Sequence, residues 1–306
     1  MAEKKHNRNQ IKENIAGYAF VMPALISYIL LIAFPFFLTL ILSFTKFNFL
    51  KVRDLAKLGK YISWIGLGNF RDILTDRRFM QSIVNTFVYA FTTVPVSIVV
   101  GLVIAYLLNS RIFLKKPLRL AFFIPYISSI VALGAVFKFL FREDGLVNRF
   151  LMNVGWITAP LRWTVEPSLS KIPIIFLVIW TSLGYVMIIY MAALQNVPRS
   201  LYEAATIDGA SSFQQFTKIT LPMVSPTTFY LVIVRLIAIF KIFSSVNVFT
   251  MGSSITSNTS IVQEIYSSAF STYAHGYASA QSVVLLLIII LFTAINFAGQ
   301  KKWVHY

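Results

Sequence analysis

The chain contains no cysteine. Disulfides and thiolate metal sites are therefore excluded, and cysteine usage gives no redox compartment. Its three histidines, His6, His275 and His305, are scattered, and no H-E-x-x-H string is present. No G-x-x-x-x-G-K-[ST] phosphate loop occurs either, so the usual apparatus for binding and splitting ATP is missing. No catalytic residue, no metal site and no cofactor held by this chain are expected. Charged residues make up only 12% of the 306 positions, against roughly 25% in ordinary globular domains. Asp and Glu number eleven, and every one lies outside the long apolar stretches. Ion-coupled carriers commonly place carboxylates inside the membrane, although backbone carbonyls alone can bind sodium.

What is present is apolar. Hydrophobic residues reach 57%, too much to hide in one water-soluble core of this length, so lipid is the expected solvent. The net charge of +16 raises nucleic acid or anionic lipid as partners. No basic run is interleaved with aromatics as in a nucleic-acid module. Most bases instead flank apolar stretches, as headgroup-facing bases do. Lys4, Lys5, Arg8 and Lys12 precede a stretch uncharged from Asn14 to Thr45. A cleavable signal core is roughly 7–15 residues long, so this stretch reads as a retained first span.

A spanning helix needs about 20 apolar residues. Six candidates follow: Tyr18–Phe44, Phe79–Leu108, Leu118–Phe137, Ile172–Leu194, Met223–Phe243 and Ala278–Ala298. The third is the shortest, and Arg119 and Lys138 must snorkel to opposite interfaces if it crosses. The predicted fold is all-α: a polytopic membrane protein with six transmembrane helices. The expected organisation is an N-terminal segment 1–17, a six-helix region 18–298 and a tail 299–306. An even count places both termini on one side. Total Lys and Arg do not choose the side, but their density in the shorter loops favours termini inside.

Residues 203–222, EAATIDGASSFQQFTKITLP, form a polar island between two apolar stretches. Two helix-start signals stand there, Ser200 with Glu203 and Ser211 with Gln214, each fitting a capping box. Gly209 between them tolerates the left-handed conformation that ends a helix, and Pro222 marks the exit. The local reading is helix, turn, helix, stop.

The string Glu203-Ala204-Ala205, three residues, Gly209, nine residues, Ile219, one residue, Leu221-Pro222 resembles the EAA loop of binding-protein-dependent ABC importers. Further strings resemble carbohydrate-type permeases of that family, nearer the larger maltose-permease subunit than its partner. They are Pro23-Ala24-Leu25, Pro35, Ser43-Phe44-Thr45, Gly68-Asn69-Phe70, Asn85-Thr86, Phe123-Ile124-Pro125-Tyr126 and Gly276-Tyr277-Ala278-Ser279-Ala280. The family's Gly-rich turn after the fifth span is replaced here by Thr250-Met251-Gly252-Ser253-Ser254. The resemblance implies a permease subunit of an ATP-driven importer for an oligosaccharide or related sugar, in a bacterial cytoplasmic membrane with both termini cytoplasmic. It implies a second related permease, two ATPase subunits carrying ATP and Mg, and an extracellular solute-binding protein. It implies that loop 196–222 faces the cytoplasm as a coupling helix, with Glu203, Ala204, Ala205, Asp208, Gly209, Phe213, Phe216, Ile219, Leu221 and Pro222 at the ATPase contact. For Glu203 the capping role stands beside the docking role. For Leu201, Ala205, Phe213, Phe216 and Ile219, packing beneath the spans stands beside contact with the ATPase. Two competing classes remain: an ion-coupled secondary carrier, disfavoured by the missing intramembrane acids, and a non-transporting membrane scaffold, disfavoured by Arg235, Lys241 and the full EAA string.

Arg235 and Lys241 interrupt the fifth span. A base there costs about 2.5–3.5 kcal/mol on insertion scales, so it usually faces protein or a wet cavity. Lys241 sits near the span end, where snorkelling explains it equally well. The two are six residues apart, about 120° around a helix. The fourth span adds Trp180, Ser182 and Tyr185, with Tyr190 further along. Rings with a few hydroxyls suit a sugar, while ordinary helix packing explains each residue as well. Trp180, Ser182, Tyr185, Arg235, Lys241, Ser244 and Ser245 are the candidate solute-path residues.

Overall fold

The computed structural model describes residues 17–51, 59, 61–109, 114–250, 257–301 and 303–304. The Thr250–Ser254 turn thus lies mostly outside the described residues. Among the described residues five helices are long and apolar enough to cross a bilayer, and a pair bent by 100° brings the number to six if it is counted as one span. Among the described residues the all-α expectation holds except for one antiparallel pair of three-residue strands. The chain divides into two compact units, Met1–Asp72 with Ser268–Val284, and Ile73–Ser267 with Leu285–Tyr306.

The first unit begins with α1 (Gly17–Ser43), whose apolar window is unburied within the chain. A helix apolar on all sides has to be covered by lipid or a neighbour. Its Ile29–Ala33 turn is π-helical, just ahead of Pro35. The proline has no N–H and its ring crowds the carbonyl one turn back, so a locally widened turn relieves the clash. Strands β1 (Thr45–Phe47) and β2 (Ile62–Trp64) then pair antiparallel, Lys46 opposite Ser63. Helix α2 (Gly68–Thr75) follows. Buried Asn69 donates from Nδ2 to the carbonyls of Ser43 and Thr45, at 2.8 and 2.9 Å. It thereby satisfies an end carbonyl that α1 leaves open. A Cβ on Gly276 would sit 2.0 Å from the Thr45 oxygen, so only glycine fits there. The strings around Phe44, Asn69 and Gly276 are therefore one cluster, closed by Phe44 against Phe70 at 5.5 Å.

The second unit is built on α3 (Arg77–Asn109) and α7 (Ile172–Gln195). At 1.5 Å per residue, the 33 residues of α3 run about 50 Å, longer than a hydrocarbon core of about 30 Å. Its buried stripe, Phe79, Ser82, Thr86, Tyr89, Thr93, Ser97 and Gly101 among others, recurs every three or four residues, as a one-faced helix requires. Asn85, Thr86 and Tyr89 hold the segment 258–261. Asn85 Nδ2 donates to Thr259 O at 2.9 Å, Thr86 Oγ1 accepts from Ile261 N at 3.0 Å, and Tyr89 donates to Asn258 O at 2.6 Å.

The third span is not one straight helix. Helices α4 (Lys115–Ile127) and α5 (Ile130–Leu140) meet at 100°. Ser128 and Ser129 have extended ψ values of 156° and 122°, which breaks the helical ladder. Arg119 and Lys138 therefore do not end a common axis. Helix α4 lies against α7, where a Cβ on Gly184 would come within 2.5 Å of the Phe122 oxygen. Helix α6 (Leu146–Asn153) carries buried Asn148, whose Oδ1 accepts from Trp163 Nε1 at 2.8 Å. The remaining helices are α8 (Arg199–Ile207), α9 (Ser212–Gln215), α10 (Leu221–Met223), α11 (Ser225–Phe240), α12 (Ser244–Thr250), α13 (Ile261–Phe270) and α14 (His275–Gln300). The fifth apolar stretch runs on past Phe243 through α12, with Lys241 ending α11.

Candidate functional site

Helix α8 begins at Arg199, with Pro198 as its N-cap and no side-chain cap. Ser200 is therefore inside the first turn, and the expected Ser200–Glu203 capping box does not form. The extended ψ of 128° at Pro198 sets the helix start two residues early. Glu203 is left exposed. The helix ends as expected at Gly209, with φ +76°. Gly209 N donates to Thr206 O at 3.1 Å and Ala210 N to Ala205 O at 2.9 Å. This pair of bonds is a Schellman stop. The second capping box does form: Gln214 N donates to Ser211 Oγ and Ser211 N to Gln214 Oε1, at 3.3 and 2.8 Å.

Two short helices thus make one projecting knob. Glu203, Ala204, Asp208, Gly209, Phe213 and Leu221 are exposed, while Ala205, Phe216, Ile219 and Pro222 are half-buried. Phe216 packs edge-on against Tyr106 of α3 at 4.9 Å, and Tyr202 shares a hydrogen bond with Thr220 at 2.9 Å. The first contact ties the knob to α3, and the second braces the knob internally. Ile207 is 87% exposed and Phe213 74%. The sequence reading missed Ile207; an isoleucine one residue before an Asp-Gly turn, with no periodic partner, was the available signal. Ala205, Asp208, Gly209, Gln214, Gln215, Lys218 and Ile219 are among the residues around a cleft of about 240 Å³ in the knob.

A larger cavity, about 340 Å³, lies among α4, α7, α11 and α12. Of the expected solute-path residues, Ser182, Arg235, Ser244 and Ser245 line it together. Arg235 Nη2 donates to Ser182 Oγ, and Ser182 in turn donates to Val178 O. Arg235 Nε is buried with no partner among the described residues. Tyr185 stands beside the cavity rather than in its wall. Its ring stacks on that of Tyr126, a lining residue, at 5.4 Å and 27°. Its hydroxyl meets that of Tyr230 at 3.4 Å. Trp180 faces elsewhere and packs on Phe137 at 5.4 Å. Lys241 is exposed at the α11 end and is not in the lining. Tyr190 donates to Thr228 at 2.9 Å in a fully buried position. The sequence reading missed Tyr126, Ser128 and Thr181, which also line the cavity. For Tyr126 and Ser128 the signal was a Pro-Tyr followed by a Ser-Ser break.

Residues 76–303 match the family described as the binding-protein-dependent transport system inner membrane component. The chain belongs to this family. It is a multi-pass membrane protein and the transport component, a permease subunit, of an ABC importer. The secondary-carrier and scaffold readings are thereby set aside. It is similar to the probable ABC transporter permease protein YesP of Bacillus subtilis, 34% identical over 99% of this chain and 96% of that one. It is also similar to the lactose transport system permease protein LacF of Rhizobium radiobacter, 31% identical over 97% and 98%. In fold it matches a chain of a bacterial ABC transporter involved in the import of the acidic polysaccharide alginate. The TM-score is 0.81, with 21% identity, covering 97% of this chain and 99% of that one.

Proposed function

We propose that this permease forms half of the membrane path for an oligosaccharide or related sugar, driven by ATPase subunits that grip the knob. The observation that carries the reading is the cavity at Ser182 and Arg235. It offers hydroxyls from Ser128, Thr181, Ser244 and Ser245 beside the Tyr126 ring. Sugars need both features, because their C–H faces pack on rings while their hydroxyls seek partners. The lactose-transport relative supports the same solute class.

In this reading a second, related permease encloses the other half of the path, and an extracellular binding protein delivers the solute. Two ATPase copies, carrying ATP and Mg, dock on the coupling loops of the pair. Glu203 offers its carboxylate to a basic residue there, and Ile207 and Phe213 supply the apolar anchors. Closure of the ATPases pushes the knob. The push reaches α3 through the Phe216–Tyr106 contact and α11 through α10. Loop 196–222 and both termini are then cytoplasmic, in the cytoplasmic membrane of a bacterium. No nucleic acid is involved. The test is sugar-dependent ATP hydrolysis by the assembled complex, together with Glu203→Lys. That variant should insert normally yet lose ATPase co-purification and uptake. Normal uptake with Glu203→Lys would reject the coupling assignment, and hydrolysis indifferent to every sugar would reject the solute class.

A further inference from the structure

Arg235 is a charge in search of a partner. Its guanidinium has five N–H donors and stays protonated in essentially any protein setting. One nitrogen donates to Ser182 Oγ, and Nε has no partner among the described residues. The ion pairs Arg142–Asp144 and Arg162–Glu143 both lie outside the spans. No Asp or Glu occurs in any spanning helix of this chain. The other polar groups of the lining, Tyr126, Ser128, Thr181, Ser182, Ser244 and Ser245, can accept or donate hydrogen bonds but carry no charge. The cavity therefore presents one uncompensated positive charge within a ring of hydroxyls. An uncompensated base inside a span is costly and marks a pathway when it is retained.

We propose that the solute carries a carboxylate, as a uronic-acid sugar does, and that Arg235 is its counter-ion in this cavity. The inference rests on reading the cavity as part of the sugar path. A neutral sugar can accept an N–H bond from Arg235 but leaves the charge uncompensated. A carboxylate supplies one negative charge to match one positive charge, through charge-assisted hydrogen bonds that are stronger than neutral ones. A phosphate monoester brings a second negative charge for which the lining holds no cation. The surrounding hydroxyls then serve the remaining sugar oxygens.

The experiment is uptake by proteoliposomes holding the whole complex with its binding protein. The probes are trigalacturonate and trimannuronate, each beside its neutral counterpart, galactotriose and mannotriose. The binding protein is the same for every variant, so the ratio of variant to native isolates the membrane step. In the native complex at least one uronate should be transported. Arg235→Gln should lower its uptake at least about tenfold, the loss of one charge-assisted bond, and lower any neutral-sugar uptake by a clearly smaller factor. Arg235→Lys keeps the charge and should retain the preference for acid. Transport of no sugar at all by the native complex would sink the sugar reading itself. Transport of neutral sugars alone would overturn the carboxylate and leave the sugar reading standing. An unchanged or equal loss for both classes in Arg235→Gln would also overturn it. So would failure of both variants to assemble, which would assign the charge to a carboxylate of a neighbouring subunit.

Discussion

Gly209 is the position where a single methyl group should report on the proposed coupling role of the knob. Its φ is +76°, a region that L side chains enter only at a cost of about 1–2 kcal/mol. A Cβ built there meets nothing within 4 Å. The penalty for Gly209→Ala is therefore conformational, with no steric share, and acts on the knob without disturbing the spans. That penalty lowers the population of the formed turn about 5- to 30-fold. Asn enters the left-handed region more readily than Ala and should cost less. Pro fixes φ near −65° and removes the N–H that donates to Thr206 O at 3.1 Å, so it should abolish the turn. The expected order for ATPase co-purification and for sugar-stimulated ATP hydrolysis is Gly, Asn, Ala, Pro, at equal membrane yield. Ala indistinguishable from Gly, or Asn worse than Ala, would refute the argument that the left-handed turn shapes the docking surface.

Gly184→Ala should damage the proposed solute cavity from outside it. The new Cβ lies 2.5 Å from Phe122 O and 2.8 Å from Phe123 Cα, backbone atoms that cannot turn aside. Overpacking of this kind costs about 1–3 kcal/mol, so lower thermal stability and slower uptake are expected together; native values for both would show that α4 is free to shift. Single cysteines at Ser212 and Ser168 test the orientation in this cysteine-free chain. In intact cells Ser168→Cys should react with an impermeant thiol reagent and Ser212→Cys should not, and the opposite pattern would invert the topology. Burial, followed by the nearby Asp76 charge, raises the carboxyl of Glu264 above its ordinary value, against the opposing effects of Arg78 and Thr259. A raised folded-state value means the native state holds its proton longer, so this group's contribution falls as pH rises from the usual carboxylate range of about 4.3. Glu264→Gln should therefore raise the melting temperature of the complex at neutral pH and lose that advantage near pH 4. A gain that persists unchanged at pH 4 would contradict the linkage.

Local physics made much of this protein legible from its residues alone. Lengths of uncharged apolar sequence located the spans, because a bilayer accepts little else. Gly209 and the Ser211–Gln214 box were readable because both are backbone devices that operate within five residues. The Ser200–Glu203 box was not, since Pro198, three residues upstream of Leu201, claimed the helix start first. Other properties exist only once distant segments meet. The Ser128–Ser129 break turns one apolar stretch into two helices at 100°, which hydropathy cannot see. Ser182 and Arg235 are 53 residues apart and become partners only because α7 and α11 share a cavity wall. Trp180 and Lys241 carried the same chemical promise as Ser182 and Arg235. The rotation of α7 turned Trp180 onto Phe137, and the end of α11 left Lys241 exposed. Which polar side chain in a span faces the path is set by the azimuth of its helix, and the azimuth is fixed by packing against neighbours.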